Sequence, residues 1–393
     1  MLKLKSIGYF LFLLSFVFLV IELLAYGTGL ILQRKHLMCK EPTLSAQHAL
    51  QSYDEYLSKR DNVLGWPFPT RFGGKVFDST GSRRIPAFED PNQHQNCVSL
   101  YGDSFTFGTD VDHEHAWGNV LSQQLNCRIA NFASGGYGTD QAYLRFQHNH
   151  KDKSSIVVLG HTSIDIIRNL TRNRDLCSSN MNYALKPRFI LDVQGKLKLI
   201  PIPKLSEKAY QKLVGLDSPQ LELVHENFLP DGYTGMTKLQ LPYIYAVLKN
   251  LNDFRLRSKL AQRPSHAEFY TKGHPLRGLE ITTQIIKSFF HDAKQQDRSA
   301  AVILFATIGD LKFYKKNHLW TYQNLMEALD THNIPYLNVG EHLLKYLGQR
   351  KVGEIFHTPL GGHYNEEGNQ VVADFVYAHI KHLVFKQTNK QEQ

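Results

Sequence analysis

Residues 97–108 read CVSLYGDSFTFG, and two readings compete for them. The apolar VSLYG followed by Gly-Asp-Ser can be a strand that closes in a plain turn, where Gly and Asp are ordinary turn residues. It can also be a strand that lifts Ser104 at its carboxyl end as a nucleophile, with Gly102 and Gly108 letting the backbone turn closely on either side. The neighbouring sequence separates the two. Downstream, the apolar runs RIANFAS (128–134) and SSIVVLG (154–160) alternate with the helical stretches HAWGNVLSQQL (115–125) and TDQAYLRFQHNH (139–150). The third run is rich in β-branched residues, as a strand buried on both faces should be.

The alternation breaks at about residue 173. FILDVQGKLKLIPIP (189–203) reads as a hairpin turning at Gln194 and Gly195, and mixed material follows to RPSHAEFYTKGHP (263–275). That stretch is too long for a connection and is expected to be an insertion over about 173–275. The α/β pattern resumes with a helix at 278–296, the strand AAVILFA (300–306), a helix at 321–332 and the short strand IPYLNV (334–339). A last helix, EEGNQVVADFVYAHIKHLV (366–384), precedes a polar tail at 386–393. Strand–helix alternation implies a parallel sheet covered on both faces, a three-layer α/β fold. Ligands of such sheets sit beyond the carboxyl ends of the strands, so residues just after strands are the ones to inspect.

Upstream, residues 1–6 form a basic segment and 7–32 an apolar run interrupted only by Glu22 and small polar residues. The run exceeds the roughly 20 residues a membrane span needs and is too long for a signal-peptide core, so it is read as an uncleaved N-terminal transmembrane anchor. Lys3 and Lys5 precede it, but Arg34, Lys35 and Lys40 follow it, so charge leaves the orientation open. Residues 33–95 are polar and turn-rich and are read as a lead-in to a domain at 96–385.

Composition excludes some classes. A net charge of +9 suits an anionic surface, yet Lys and Arg are dispersed and form no basic stripe, so nucleic acid is not an expected partner. Cys39, Cys97, Cys127 and Cys177 allow three pairings. If the strands after Cys97 and Cys127 are neighbours, those two thiols can pair and leave Cys39 with Cys177; four free thiols are the alternative. Asp112, His113 and His115 are metal-like types, but a solvated helix start explains them as well, and no metal or other cofactor is expected. His148 and His150 fall at a helix end, where the dipole favours them.

Three pieces carry the candidate chemistry. Ser104 follows the first strand. NFASGGYG (131–138) follows the second and offers unobstructed backbone N–H groups. His363 lies in HTPLGGHYNEEGN (357–369), before the last helix, where a base could reach back over the sheet edge. In this order the blocks resemble the GDSL, or SGNH, hydrolase superfamily over about 97–172 and 276–383. The resemblance implies a flavodoxin-like sheet, Ser104 as nucleophile, His363 as base, and the N–H groups of Ser104 and Gly136 as an oxyanion hole. Two positions depart from it. The family's Asp three residues before the His is Leu360 here, so His363 works as a dyad or takes an acid from elsewhere, with Asp310 a candidate. The family's oxyanion Asn falls on Thr162 in LGHTSIDIIRN (159–169); Thr162 could donate through its hydroxyl, or Asp165 or Asn169 could stand in, although an ionised Asp would repel an oxyanion.

The LGW and STGSRR segments, the hairpin and the anchor resemble a membrane-anchored subgroup associated with bacterial surface polysaccharides. Together with the cysteines, that subgroup places the domain on the outer side of the membrane. The expected activity is a serine esterase or O-acyltransferase acting on an acylated, O-acetylated carbohydrate or a small ester. The alternative is a catalytically silent scaffold that binds glycan or assists polysaccharide assembly.

Overall fold

A computed structural model describes residues 2–40, 53–173, 176–177, 185–214, 223–357 and 362–391. The short apolar runs become five strands, β1 (Asn96–Tyr101), β2 (Arg128–Asn131), β3 (Ile156–Thr162), β6 (Ser299–Phe305) and β7 (Tyr336–Asn338), of which β3 and β6 are the richest in Val, Ile and Leu. All pair in parallel in the order β2-β1-β3-β6-β7. With the strands counted within this sheet alone, that is the flavodoxin-like order 2-1-3-4-5.

Helices cover both faces. Trp117–Leu125, Val339–Leu347 and Glu366–Gln391 pack together on one side, and Thr139–His148, Gly278–Gln295 and Gln323–Thr331 pack on the other. Between them Val98, Leu100, Ile129, Ile156, Val157, Leu159 and Val302 have no solvent exposure. Each such side chain contributes about 1.5–3 kcal/mol when withdrawn from water. The chain leaves β1 for β2 on one side and returns to β3 on the other. This reversal opens a crevice at the carboxyl end of β1, where Ser104 stands.

The chain folds into two compact units. The sheet unit comprises Asp54–Arg172, Ala184–Pro203 and His266–Gln393; the other comprises Met1–Tyr53, Asn173–Tyr183 and Lys204–Ser265. The stretch expected as one insertion is therefore partitioned. Its hairpin, β4 (Arg188–Leu191) with β5 (Leu197–Ile200), is antiparallel and belongs to the sheet unit. One reason is Lys186, whose buried ammonium donates to Asp140 (2.5 Å) at the start of the Thr139–His148 helix and to the Arg168 and Thr171 carbonyls. The second half of the lead-in also belongs to the sheet unit, and the last helix runs on to Gln391 through the expected tail.

In the other unit, Leu2–Arg34 is one continuous helix. Its Ile7–Arg34 portion is long and apolar enough to cross a membrane, with a mean hydropathy of 2.5 over an 18-residue stretch. The helix Tyr243–Asn250 packs along it. All four cysteines are paired, Cys97 with Cys127 in the sheet unit and Cys39 with Cys177 in the other.

Candidate active site

Ser104 opens a one-turn helix, Ser104–Phe107, directly after β1. Asp103 is its N-cap: one carboxylate oxygen accepts the N–H groups of Phe105 (3.0 Å) and Thr106 (3.4 Å), donors that a helix start otherwise leaves unpaired. The same oxygen accepts the Thr162 hydroxyl (3.0 Å), and the other accepts Arg168 (3.0 Å). The Asp of Gly-Asp-Ser thus holds the turn that presents the serine. Glycine is required beside it for close approach. A Cβ on Gly102 or on Gly160 of β3 would come within 2.0 Å of the buried Thr106 hydroxyl.

His363 reaches this serine from the far end of the chain. Its Nε2 lies 2.8 Å from Ser104 Oγ, and its Nδ1 lies 2.7 Å from Asp110 Oδ2. An ionised carboxylate only accepts, so Nδ1 carries the proton and Nε2 is left to accept the serine O–H. The ring packs against Phe105, with centroids 5.1 Å apart. Ser104 is 4% exposed and the His363 side chain 18% exposed, which leaves the pair accessible from one side.

Asp110 is the residue that sequence reasoning missed. It sits two residues beyond Gly108, in a left-handed conformation (φ 74°) that costs a non-glycine residue energy and turns the chain sharply. The loop is clamped by the buried Arg83, whose guanidinium donates to the carbonyls of Phe107 and Gly108 (both 3.0 Å) and of Val111 and Asp112 (both 2.8 Å). Burial, opposed by Asp112 and Glu114, brings this guanidinium down to about 10. The sequence carried no local sign of this clamp: Arg83 and Arg84 are adjacent in STGSRR, and only the fold buries Arg83 against these carbonyls.

The expected orienting acid, Asp310, is not beside His363. It lies buried at the end of β6, where it accepts His266 Nε2 (2.7 Å), the Ser163 hydroxyl (2.5 Å), the Thr307 hydroxyl (2.6 Å) and Thr321. Burial alone would raise its pKa, but His266 and the hydroxyl donors hold it down to about 2. Leu360 falls outside the described residues.

The second block brings its loop alongside. A Cβ placed on Gly135 would sit 3.7 Å from Ser104 Cβ, and Arg71 ties the loop by donating to the Gly135 carbonyl (2.9 Å). Gly136 has φ 95°, a conformation that suits glycine alone. Among the described residues, neither the Ser104 nor the Gly136 N–H donates to a protein acceptor.

Thr162 is placed differently from a donor. Its hydroxyl is spent on Asp103 and its N–H on Asp165 (3.1 Å). Asp165 pairs with Arg168 (2.7 Å) beneath the site; burial, with the charge of Asp103 adding to it, raises its pKa well above the ordinary carboxylate range. Asn169 is structural, accepting the Asp140 N–H and donating to Thr282. Of the metal-like group, His115 pairs with Asp112 (2.6 Å) and His113 meets the Lys75 carbonyl.

No family model and no curated protein matches the chain. Solved structures similar to it include a member of the lipolytic G-D-S-L family from Veillonella parvula DSM 2008, at 12% identity over 72% of this chain and 96% of that one, with a TM-score of 0.35. The psychrotrophic esterase EstA from Pseudoalteromonas sp. is 10% identical over 74% of this chain and 99% of its own, with a TM-score of 0.35. An acetyl xylan esterase, AlAXEase, is 14% identical over 72% and 98%, with a TM-score of 0.34. The sequence blocks that resemble those of the SGNH superfamily stand on a 2-1-3-4-5 parallel sheet, and the three solved structures named are a lipolytic-family protein and two esterases.

Proposed function

We propose that this chain is a membrane-anchored serine ester hydrolase or O-acyltransferase of SGNH type, acting on an acylated carbohydrate. One observation carries the reading: His363 bridges Asp110 and Ser104 through its two ring nitrogens at 2.7 and 2.8 Å. That is the geometry a hydroxyl needs to act as a nucleophile near neutral pH.

In the proposed reaction Ser104 Oγ attacks the acyl carbonyl carbon as its proton passes to His363 Nε2. The carbonyl π electrons become an oxyanion, and the N–H groups of Ser104 and Gly136 receive it. The intermediate collapses by breaking the bond to the alcohol oxygen, which takes the proton from His363, and the acyl group stays on Ser104. Water, deprotonated by His363, then releases the acid; a sugar hydroxyl in its place accepts the acyl group and makes the enzyme a transferase. Asp110 keeps the imidazole in the required tautomer and stabilises the imidazolium. The chemistry needs no cofactor.

The carbohydrate substrate and the outer-side location rest on the subgroup resemblance. The two disulfides add support for the location, because such bonds persist in oxidising compartments. One observation favours the silent scaffold: the Thr162 hydroxyl is occupied by Asp103, so the oxyanion has two donors instead of three. A missing donor slows such enzymes by about 10²–10³, which weakens catalysis without abolishing it.

A fluorescent fluorophosphonate tests the reading on the full chain in detergent. Wild type is expected to label, Ser104→Ala not at all, and His363→Ala far more slowly. Absence of labelling in folded wild type would leave the scaffold reading in its place.

A further inference from the structure

Glu22 is the one carboxylate inside the apolar N-terminal run, and it is buried. Its two oxygens accept the N–H groups of Tyr243 (2.6 Å) and Ile244 (3.2 Å), the first turn of the helix Tyr243–Asn250. The contact continues along the long helix. Tyr26 lies against Tyr243 with ring centroids 4.9 Å apart. Leu239 presses on Gly29 so closely that a Cβ there would meet its side chain at 2.2 Å. Glu22, Ala25 and Gly29 form one buried stripe, whereas every residue from Ile7 to Ile21 is exposed.

The shorter helix buries Ala246 and Asn250 and leaves its opposite side bare: Leu241, Tyr245, Leu248 and Leu251 are 53–71% exposed. An eight-residue helix is not stable alone in water, and four large apolar side chains on one face need a covering. The occupant is given by continuity with the apolar helix. At 1.5 Å per residue, a hydrocarbon core about 30 Å thick is crossed in about 20 residues. Counting from Ile7, the far boundary falls near Tyr26, level with the contact to Tyr243. Tyr26, Tyr243 and Tyr245 then gather where tyrosines collect, at the membrane–water interface.

We propose that 241–251 is a second membrane contact, an interfacial segment whose Leu241, Tyr245, Leu248 and Leu251 side chains enter the boundary between lipid headgroups and acyl chains, with Glu22 capping its first turn. This rests on the reading of the N-terminal run as an anchor. It also accounts for Glu22: the carboxylate accepts two otherwise unpaired N–H groups at the edge of the bilayer and does not stand alone within it.

The test uses the full chain reconstituted in phosphatidylcholine vesicles. All native cysteines are paired, so single added cysteines at Leu248→Cys, Leu251→Cys, Phe12→Cys and Val193→Cys take an environment-sensitive fluorophore selectively. Far-UV circular dichroism confirms that each variant folds. The labels at 248 and 251 are expected to shift to the blue and to be quenched by lipids brominated near the headgroup. The label at 12 should be quenched by deeply brominated lipids, and the one at 193 by neither. Solvent-like labels at 248 and 251, with the label at 12 quenched, would overturn the proposal and leave the anchor standing. A blue shift without lipid quenching would also overturn it, because protein then covers the face. An unquenched label at 12 would remove the anchor and the proposal together.

Discussion

At the scale of single residues, the site turns on Asp110. Its carboxylate fixes the proton of His363 on Nδ1, and without it the ring can present a protonated nitrogen to Ser104. Asp110→Asn is expected to lower kcat by about 10²–10⁴ with little change in KM, because the residue acts on the base and not on bound ester. Steady-state hydrolysis of an acetyl ester by the two proteins checks this. That Ser104 and His363 meet was legible because a serine in Gly-Asp-Ser after a strand and a histidine in a Gly-flanked loop before the last helix both fall at one edge of such a sheet. Asp110 was not, because its role depends on a left-handed turn and on Arg83 reaching across the loop to four carbonyls. Nothing in the spacing of Asp110 from His363, 253 residues away, announces the contact. Thr162 was legible as a position but not in its bonding, since only the fold brings Asp103 to its hydroxyl.

At the scale of elements, the strand ends beneath the site are joined by a buried polar chain. His161, on β3, accepts the Thr139 hydroxyl at Nδ1 (2.7 Å) and donates from Nε2 to Tyr270 (2.8 Å), whose hydroxyl proton goes to the Ser163 carbonyl. Burial, with His266 nearby, lowers the pKa of this imidazole to about 3. The unfolded chain, with an ordinary histidine, therefore binds a proton between about pH 6.5 and 3 that the folded protein does not. Stability must fall as the pH falls through that window, by about 1.4 kcal/mol per unit from this residue. Asp310 acts lower on the scale, its contribution being lost below about pH 4 as its carboxyl protonates. Denaturant midpoints at about pH 7 and 5 should differ accordingly, and His161→Gln should flatten the difference by one proton's worth. The central strands β3 and β6 were readable from their runs of Val, Ile and Leu, and the shorter ones from their alternation with helical stretches. The partition of 173–275 was not, because a Lys186–Asp140 pair links segments 46 residues apart and leaves no trace in hydrophobic periodicity.

At the scale of the whole molecule, the chain order places the apolar helix first and the nucleophile after it, and the bond between Cys39 and Cys177 spans the interval. Everything from residue 40 to 176, Ser104 included, lies within a covalently closed ring. A protease that cuts the backbone anywhere in that interval opens the ring but separates nothing. The fragment bearing the apolar helix stays attached to the rest through sulfur. A single cut between residues 40 and 53 should therefore yield two bands on a reducing gel and one on a non-reducing gel, and, with the apolar helix acting as the proposed anchor, the fragment that carries Ser104 should still sediment with membranes. Release into the soluble fraction should require a thiol as well as a protease. On the proposed reading of the apolar helix as an anchor, release of the Ser104-bearing part is thereby conditional on two chemically unrelated events, and its retention tolerates damage that would free a protein joined by backbone alone.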